Sequence, residues 1–227
     1  MAEMLELSIH GFEEMPVPNQ FLRQQGRAHG LAILLPGLGY TCDMPFFYYT
    51  ELQFLVGGFD VLRVDYDYRQ PGGQAWGKPE HERRLIDDVT AAVRMGVSQN
   101  AYDSVTVVGK SLGTLAMAHL DVNGDMPSSW RSVWVTPLLK QDVVWTSIQH
   151  RTTPAAVVIG TEDPHYDAVR IANLESRDAM TVVVVEDGNH SLNAGRTAED
   201  SAKAMATVIG QLEAFYDFPR RDADEMD

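Results

Sequence analysis

The chain has 227 residues, of which 44% are hydrophobic and 22% are charged, and its formal net charge is −14. This length and composition suit one sizeable hydrophobic core, and they exclude a chain that is disordered throughout. The acidic balance argues against nucleic acid or an anionic membrane surface as the main partner, and the single cysteine excludes an internal disulfide bond.

Short apolar runs alternate with longer mixed runs along the chain. Each short run is rich in aliphatic or β-branched residues and ends near Gly, Pro, Asp or Thr, which predicts a strand buried on both faces. Residues 4–29 are expected to add one or two antiparallel strands at the edge of the sheet. In chain order, the other predicted strands are 31–37, 59–66, 104–110, 132–137, 155–163 and 181–188.

The longer runs between these strands have the composition and spacing of helices. Regular alternation of strand and helix indicates a three-layer α/β/α sandwich, with a mostly parallel central sheet covered by helices on both faces. We expect one domain over residues 1–219 and a charged, frayed tail over residues 220–227. The predicted helices are 44–57, 81–97, 111–120, 165–175 and 197–216.

The first ten residues carry acidic side chains where a secretory leader would be basic, and no run of about 18 apolar residues occurs. We therefore expect a soluble, cytoplasmic protein without a membrane span. No cluster of residues has the spacing of metal ligands, so neither a metal nor a cofactor is expected. The oligomeric state stays open.

Two glycine-containing segments match nucleotide-binding patterns only in part. The residues GKS at 109–111 match the end of a phosphate-binding loop, but that motif needs a glycine where this chain has Ser104. The segment PGLGYTC at 36–42 supplies the first two glycines of a dinucleotide-binding motif, with Cys42 in place of the third. Both interpretations are weak, and the second would make the protein a nicotinamide-dependent oxidoreductase.

The segment GKSLG at 109–113 fits every position of a third pattern, G-x-S-x-G between a strand and a helix. Such a turn is strained and needs glycines on both sides of the serine, and it lifts the Ser111 hydroxyl above the edge of the sheet. It also places the Leu112 N–H at the start of a helix, where an unpaired donor can meet an oxyanion. Ser111 is the predicted nucleophile, and the alternative is a serine that only caps the helix.

A serine nucleophile needs a general base, and the base needs a carboxylate that orients it. Asp163 follows one predicted strand and His190 follows the next, at the sheet edge where ligands meet α/β folds. The chain order Ser111, Asp163, His190 is the order of this architecture. The rival carboxylates are Glu162, Asp167 and Asp187.

Together these motifs resemble the α/β-hydrolase-fold serine hydrolases, and in particular the small dienelactone-hydrolase-like and carboxylesterase-like members with little or no cap. The resemblance covers about residues 30–216. The segments that carry it are PGLGY (36–40), GKSLG (109–113), GTEDP (160–164) and GNHSL (188–192).

The resemblance implies a catalytic triad of Ser111, His190 and Asp163, with an oxyanion hole formed by the backbone N–H groups of Leu38 and Leu112. Many relatives have His-Gly where this chain has Pro-Gly at positions 36 and 37. That departure leaves the backbone donor of Leu38 in place.

Caps of this family are usually inserted at a connection that is short here, residues 137–154, and that holds one predicted helix, 141–150. We therefore expect an open site that prefers short acyl groups. Lys110 is expected to be exposed, and His165 is expected to start a helix and face solvent. The residues expected to line the pocket are Tyr40, Cys42, Met44, Trp145 and Ile148, and a place in the core is the alternative for the first three.

The function that these features predict is hydrolysis of an ester or thioester of a small acyl substrate through an acyl-enzyme. The same triad also cleaves peptides, lactones or carbon–carbon bonds, so those substrates stay open. A catalytically silent binding protein on the same fold is the alternative of a different class.

Overall fold

The computed structural model describes residues 2–66, 68, 79–126, 129–216 and 218. Within these ranges, eight strands form a single sheet. Where one or two edge strands were expected within residues 4–29, two are present, the first beginning one residue earlier, and the other strands differ from their predicted bounds by at most a few residues. The strands are β1 (Glu3–Leu5), β2 (Asn19–Arg23), β3 (Leu31–Leu35), β4 (Asp60–Val64), β5 (Val105–Lys110), β6 (Arg131–Val135), β7 (Ala155–Gly160) and β8 (Met180–Val185).

The strand order across the sheet is β1-β2-β4-β3-β5-β6-β7-β8. At one edge, β1 pairs antiparallel with β2, and β2 pairs antiparallel with β4. The remaining pairs, from β4–β3 to β7–β8, are parallel. The carboxyl ends of β3, β5, β7 and β8 therefore meet at one edge of the sheet, and the loops that follow these strands become neighbours.

Six α-helices and one 3-10 turn, Phe12–Glu14, connect or flank these strands in the described ranges. The predicted helices are confirmed, except that the fourth begins at Ala168 instead of residue 165. The reason is Asp167, whose carboxylate accepts hydrogen bonds from the N–H groups of Val169 and Arg170 and so caps the helix. The helices are α1 (Pro45–Val56), α2 (Pro79–Val97), α3 (Leu112–Val122), α4 (Asp142–His150), α5 (Ala168–Glu175) and α6 (Ala198–Tyr216).

The two faces of the sheet carry separate hydrophobic cores. Side chains of α2, α3, α4 and α5 pack on one face, and side chains of α1 and α6 pack on the other. β3, β4 and β7 are buried at every position, as their near-continuous apolar runs predict for inner strands of a parallel sheet. The predicted three-layer α/β/α sandwich is confirmed.

The connection between β6 and β7 contains α4 as its only helix, in a stretch that is described without a gap. At this connection no cap is inserted, as expected. The predicted frayed tail, residues 220–227, lies outside the described residues, and a single domain over 1–219 stays a prediction. In the described ranges, no helix has the length and apolar character needed to cross a membrane.

Candidate active site

Ser111 lies in a strained turn between β5 and α3, with φ 50° and ψ −110°. A Cβ on Gly113 would lie 2.1 Å from the carbonyl oxygen of Leu35, and a Cβ on Gly109 would lie 2.8 Å from the carbonyl oxygen of Gly113. Both positions therefore need glycine. The Ser111 side chain makes no capping hydrogen bond to α3, so the interpretation of this serine as a helix cap is not supported.

The structure brings Ser111, His190 and Asp163 together although they lie far apart in the sequence. Nε2 of His190 is 2.7 Å from Oγ of Ser111, and Nδ1 of His190 is 2.7 Å from Oδ2 of Asp163. The imidazole thus bridges hydroxyl and carboxylate with its two ring nitrogens. This is the arrangement in which a histidine takes the proton of a serine while a carboxylate fixes its tautomer.

The loops that carry Asp163 and His190 are packed directly against each other. The Glu162 N–H donates to the carbonyl oxygen of Gly188 at 2.9 Å, and a Cβ on Gly160 would lie 2.0 Å from that same oxygen. The two loops follow the neighbouring parallel strands β7 and β8. The close backbone approach therefore sets the distance between the carboxylate and the imidazole.

The surroundings of Asp163 favour its ionised form. Its side chain is fully buried and accepts hydrogen bonds from the His190 ring and, at 2.8 Å, from the His165 N–H. Burial opposes the charged form, but the two hydrogen bonds and the charge interactions with both histidines together outweigh it and hold the pKa of Asp163 below the usual value. Of the rival carboxylates, Asp167 caps α5, and Glu162 and Asp187 are exposed.

The loop after β3 lies against the turn that carries Ser111. Gly37 and Tyr40 form a backbone bridge, and a Cβ on Gly37 would lie 3.2 Å from Cβ of Ser111. The buried hydroxyl of Tyr66 donates to the carbonyl oxygen of Pro36 at 2.6 Å and so holds the start of this loop in place. In the described part of the chain, the N–H groups of Leu38 and Leu112 donate to no protein acceptor in loop or capping hydrogen bonds.

Lys110 is buried, with 1% of its surface exposed, whereas the sequence led us to expect an exposed side chain. Its Nζ lies 2.7 Å from Oγ1 of Thr136, 2.5 Å from the carbonyl oxygen of His190 and 4.5 Å from the ring centroid of Tyr40. Burial lowers the pKa of Lys110 to about 7, and the charge of Asp163 opposes this shift only in part. β5 is buried at all its positions, so its last residue points into the protein.

His165 is also placed differently from its prediction. Because α5 begins three residues later, His165 lies in the loop after β7, half-buried, with its ring centroid 5.8 Å from that of His190. Burial lowers the pKa of His165, and the nearby charge of Asp163 only partly opposes this effect. His165 therefore flanks the site instead of facing solvent.

Of the five residues expected to line the pocket, two do so. Tyr40 and Met44 border a large cavity next to the loops of the triad. Cys42 and Ile148 are packed in the two cores with 1% and 0% exposure, and Trp145 stacks on the guanidinium of Arg170 at 4.9 Å and does not border this cavity. The expectation was therefore wrong for Cys42, which packs in the core beside α1, and for Ile148, which α4 turns toward the other core. Trp145 is half-buried, and its role at a pocket stays a prediction.

The cavity beside the triad has a volume of about 1170 Å³ and lies between α1 and α6. We call it the α1–α6 groove. The only trace of this groove in the sequence of the described residues is a row of small residues at helical spacing on one face of α6. The residues that line its middle section are Met44, Tyr49, Ala202, Met205, Ala206 and Ile209.

The local geometry does not support the two nucleotide-binding interpretations. A dinucleotide-binding motif places a helix N-terminus directly after its second glycine, but here the chain turns back from Gly37 to Tyr40 and α1 begins only at Pro45. The buried strand residues before Gly109 leave no phosphate-binding loop. Among the described residues, no group of three or more His, Cys, Asp and Glu side chains is arranged to hold a metal ion.

Residues 29–217 match the family model described as alpha/beta hydrolase domain. This range contains every residue of the candidate site. No curated protein matches the chain.

Several solved structures share the fold at low sequence identity. An esterase from Pyrococcus furiosus is 13% identical, with a TM-score of 0.67 over 94% of this chain and 93% of its own. A dienelactone hydrolase from Anabaena variabilis is 16% identical, with a TM-score of 0.66 over 97% and 99%. A serine hydrolase without a lid from Xanthomonas campestris is 15% identical, with a TM-score of 0.65 over 97% of each chain.

Proposed function

The chain belongs to the α/β hydrolase family, and from this premise we propose that it is a serine hydrolase that cleaves esters or thioesters of a small acyl group. The observation that carries the proposal is the position of His190, within hydrogen-bond distance of both Ser111 and Asp163. The esterase and dienelactone hydrolase that share the fold support the same class of reaction.

In the first half of the proposed reaction, Oγ of Ser111 attacks the carbonyl carbon of the substrate while Nε2 of His190 takes the hydroxyl proton. The ionised Asp163 stabilises the imidazolium that forms. The tetrahedral intermediate then collapses: the bond to the alcohol or thiol breaks, and His190 gives its proton to that leaving group. The acyl group stays bound to Ser111 as an ester.

In the second half, a water molecule gives a proton to His190 and attacks the acyl-enzyme. The second tetrahedral intermediate then collapses: the bond between its carbon and Oγ of Ser111 breaks, the carboxylic acid is released, and His190 gives its proton back to Ser111. In both halves the negative charge develops on the former carbonyl oxygen, where the N–H groups of Leu38 and Leu112 would stabilise it. A donor of this kind lowers the barrier by about 2.7–4 kcal/mol.

Steady-state hydrolysis of p-nitrophenyl acetate and of an acetyl thioester tests the proposal. We expect turnover of at least one of the two by the wild type, and a loss on the order of 10³-fold or more in Ser111→Ala and in His190→Ala. Ser176→Ala is the matched control, because Ser176 is exposed at the end of α5 and bonds only its own helix. Absence of turnover on both substrates would favour the catalytically silent binding protein.

A further inference from the structure

One end of the α1–α6 groove lies next to the loops that carry the reacting groups, although none of the three triad residues lines it. Two of its lining residues are Tyr40, in the loop that lies against Ser111, and Ser191, which directly follows His190. From there the groove follows α6 from Ala198 to Glu213, fifteen residues along the helix, or about 22 Å at a rise of 1.5 Å per residue. The groove is therefore adjacent to the site and long enough for an extended chain.

The middle of this groove is apolar, while polar side chains lie toward its ends. Met205 and Ile209 line it from α6, Tyr49 lines it from α1, and Met44 lines it from the residue before α1. Asn193 and Arg196 border the near end, and Glu213 borders the far end. An uncharged aliphatic chain fits these walls, because each covered methylene gains up to about 0.8 kcal/mol on leaving water.

The chemistry of the triad decides which part of the substrate meets this groove. The proton taken from Ser111 is given by Nε2 of His190 to the departing oxygen or sulfur. The leaving group must therefore lie on the His190 side of the tetrahedral carbon. One side of the groove is formed by residues 191–197, which directly follow His190 in the chain.

We propose that the α1–α6 groove binds the leaving group of the substrate, an alcohol or thiol with an extended aliphatic chain, while the acyl group stays small. The inference rests on the proposed function, since it assumes that Ser111 is acylated and that His190 protonates the leaving group. It reconciles the absence of a cap with the large apolar cavity: the chain that needs apolar cover belongs to the alcohol or thiol.

A pair of isomeric esters tests whether the groove binds the alcohol part or the acyl part of the substrate. Octyl acetate and ethyl octanoate contain the same atoms, but the long chain belongs to the alcohol in the first and to the acid in the second. We expect the kcat/KM of the wild type to be about tenfold or more higher for octyl acetate than for ethyl octanoate, since only that ester places its chain in the groove.

Ala202→Trp places an indole in the groove from an exposed position on α6. We expect it to lower the ratio of kcat/KM for octyl acetate to kcat/KM for ethyl acetate by about tenfold. Thr207→Trp is the matched control, because Thr207 is exposed on the same helix and does not line the groove. The control should keep the wild-type ratio, and thermal unfolding of both variants shows whether they fold.

The possible outcomes show separately whether the groove binds the leaving group and whether the protein is a serine hydrolase. If ethyl octanoate is preferred, the groove holds the acyl chain and the inference is wrong, although the serine hydrolase stands. If both folded tryptophan variants keep the wild-type ratio, the groove binds neither chain and the inference is again wrong. If no ester is hydrolysed in a Ser111-dependent way, the proposed function itself fails.

Discussion

The ammonium nitrogen of Lys110 lies 2.5 Å from the backbone carbonyl oxygen of His190, so the residue before the candidate nucleophile holds the loop of the candidate base. The same nitrogen donates to Thr136 at the end of β6 and faces the ring of Tyr40 in the loop after β3. One buried side chain thus joins four loops at the active edge of the sheet.

The burial of Lys110 predicts a specific pH dependence of stability. Its folded-state pKa is lowered to about 7, whereas an unfolded chain titrates lysine near 10.4. Between these two values the unfolded chain holds a proton that the folded protein lacks. This lysine therefore lowers stability as the pH falls from about 10.4 to 7, and its contribution is constant below that range.

Lys110→Met removes the titrating amine and its hydrogen bonds to Thr136 and to the carbonyl oxygen of His190. We expect the loss of these hydrogen bonds to change stability by about the same amount at each pH, so that the difference between two pH values reports the titration. We expect the free energy of unfolding of the variant, relative to wild type, to be higher at pH 7 than at pH 10 by a few kcal/mol, since one pKa unit is worth about 1.4 kcal/mol. Urea unfolding at the two pH values measures it. Lys203→Met, at an exposed position, should show no such difference. A Lys110→Met effect that is equal at both pH values would contradict the assignment.

The role of Asp163 predicts different effects for two aspartates of one loop. Asp163→Asn should lower kcat on p-nitrophenyl acetate about 10³–10⁴-fold, because an amide can hold the wrong tautomer of His190. Asp167→Asn should leave kcat within about twofold of wild type, because Asp167 caps α5 and asparagine is an equally good cap. Steady-state kinetics of both variants checks this, and the reverse order would assign the orienting role to Asp167.

Tyr66 supports the loop that carries the Leu38 N–H. Tyr66→Phe removes the hydrogen bond to the Pro36 carbonyl, which should lower stability by about 1 kcal/mol and lower kcat more than it changes KM. Tyr68→Phe is the matched control, since Tyr68 stacks on Tyr66 but donates its hydroxyl to Asp88. We expect the control to lose stability while its kcat stays near wild type. Equal kcat values in the two variants would show that the support is structural only.

Local patterns in the sequence were sufficient to predict the sheet and the backbone turn that carries Ser111. Glycines at 109 and 113 predict the strained turn because backbone atoms of other segments fill the space of a Cβ there. Asp163 and His190 could be chosen because they follow consecutive strands of a parallel sheet, whose carboxyl ends share one edge.

The features that the sequence did not reveal depend on contacts between distant segments. The acceptors of Lys110 lie 26 and 80 residues further along the chain, so no local pattern could tell a buried amine from an exposed one. The α1–α6 groove depends on how two helices from opposite ends of the chain pack on the same face of the sheet. Ile148 was placed wrongly because the sequence does not show which way α4 turns.

A fluorophosphonate that reacts covalently with activated serines tests most directly whether Ser111 is the nucleophile. Intact mass and peptide mapping of the labelled wild type should place one phosphonate on Ser111, and Ser111→Ala should remain unlabelled while it unfolds at the wild-type temperature within a few degrees. A single phosphonate on any other residue, or labelling of Ser111→Ala to the wild-type extent, would contradict the account.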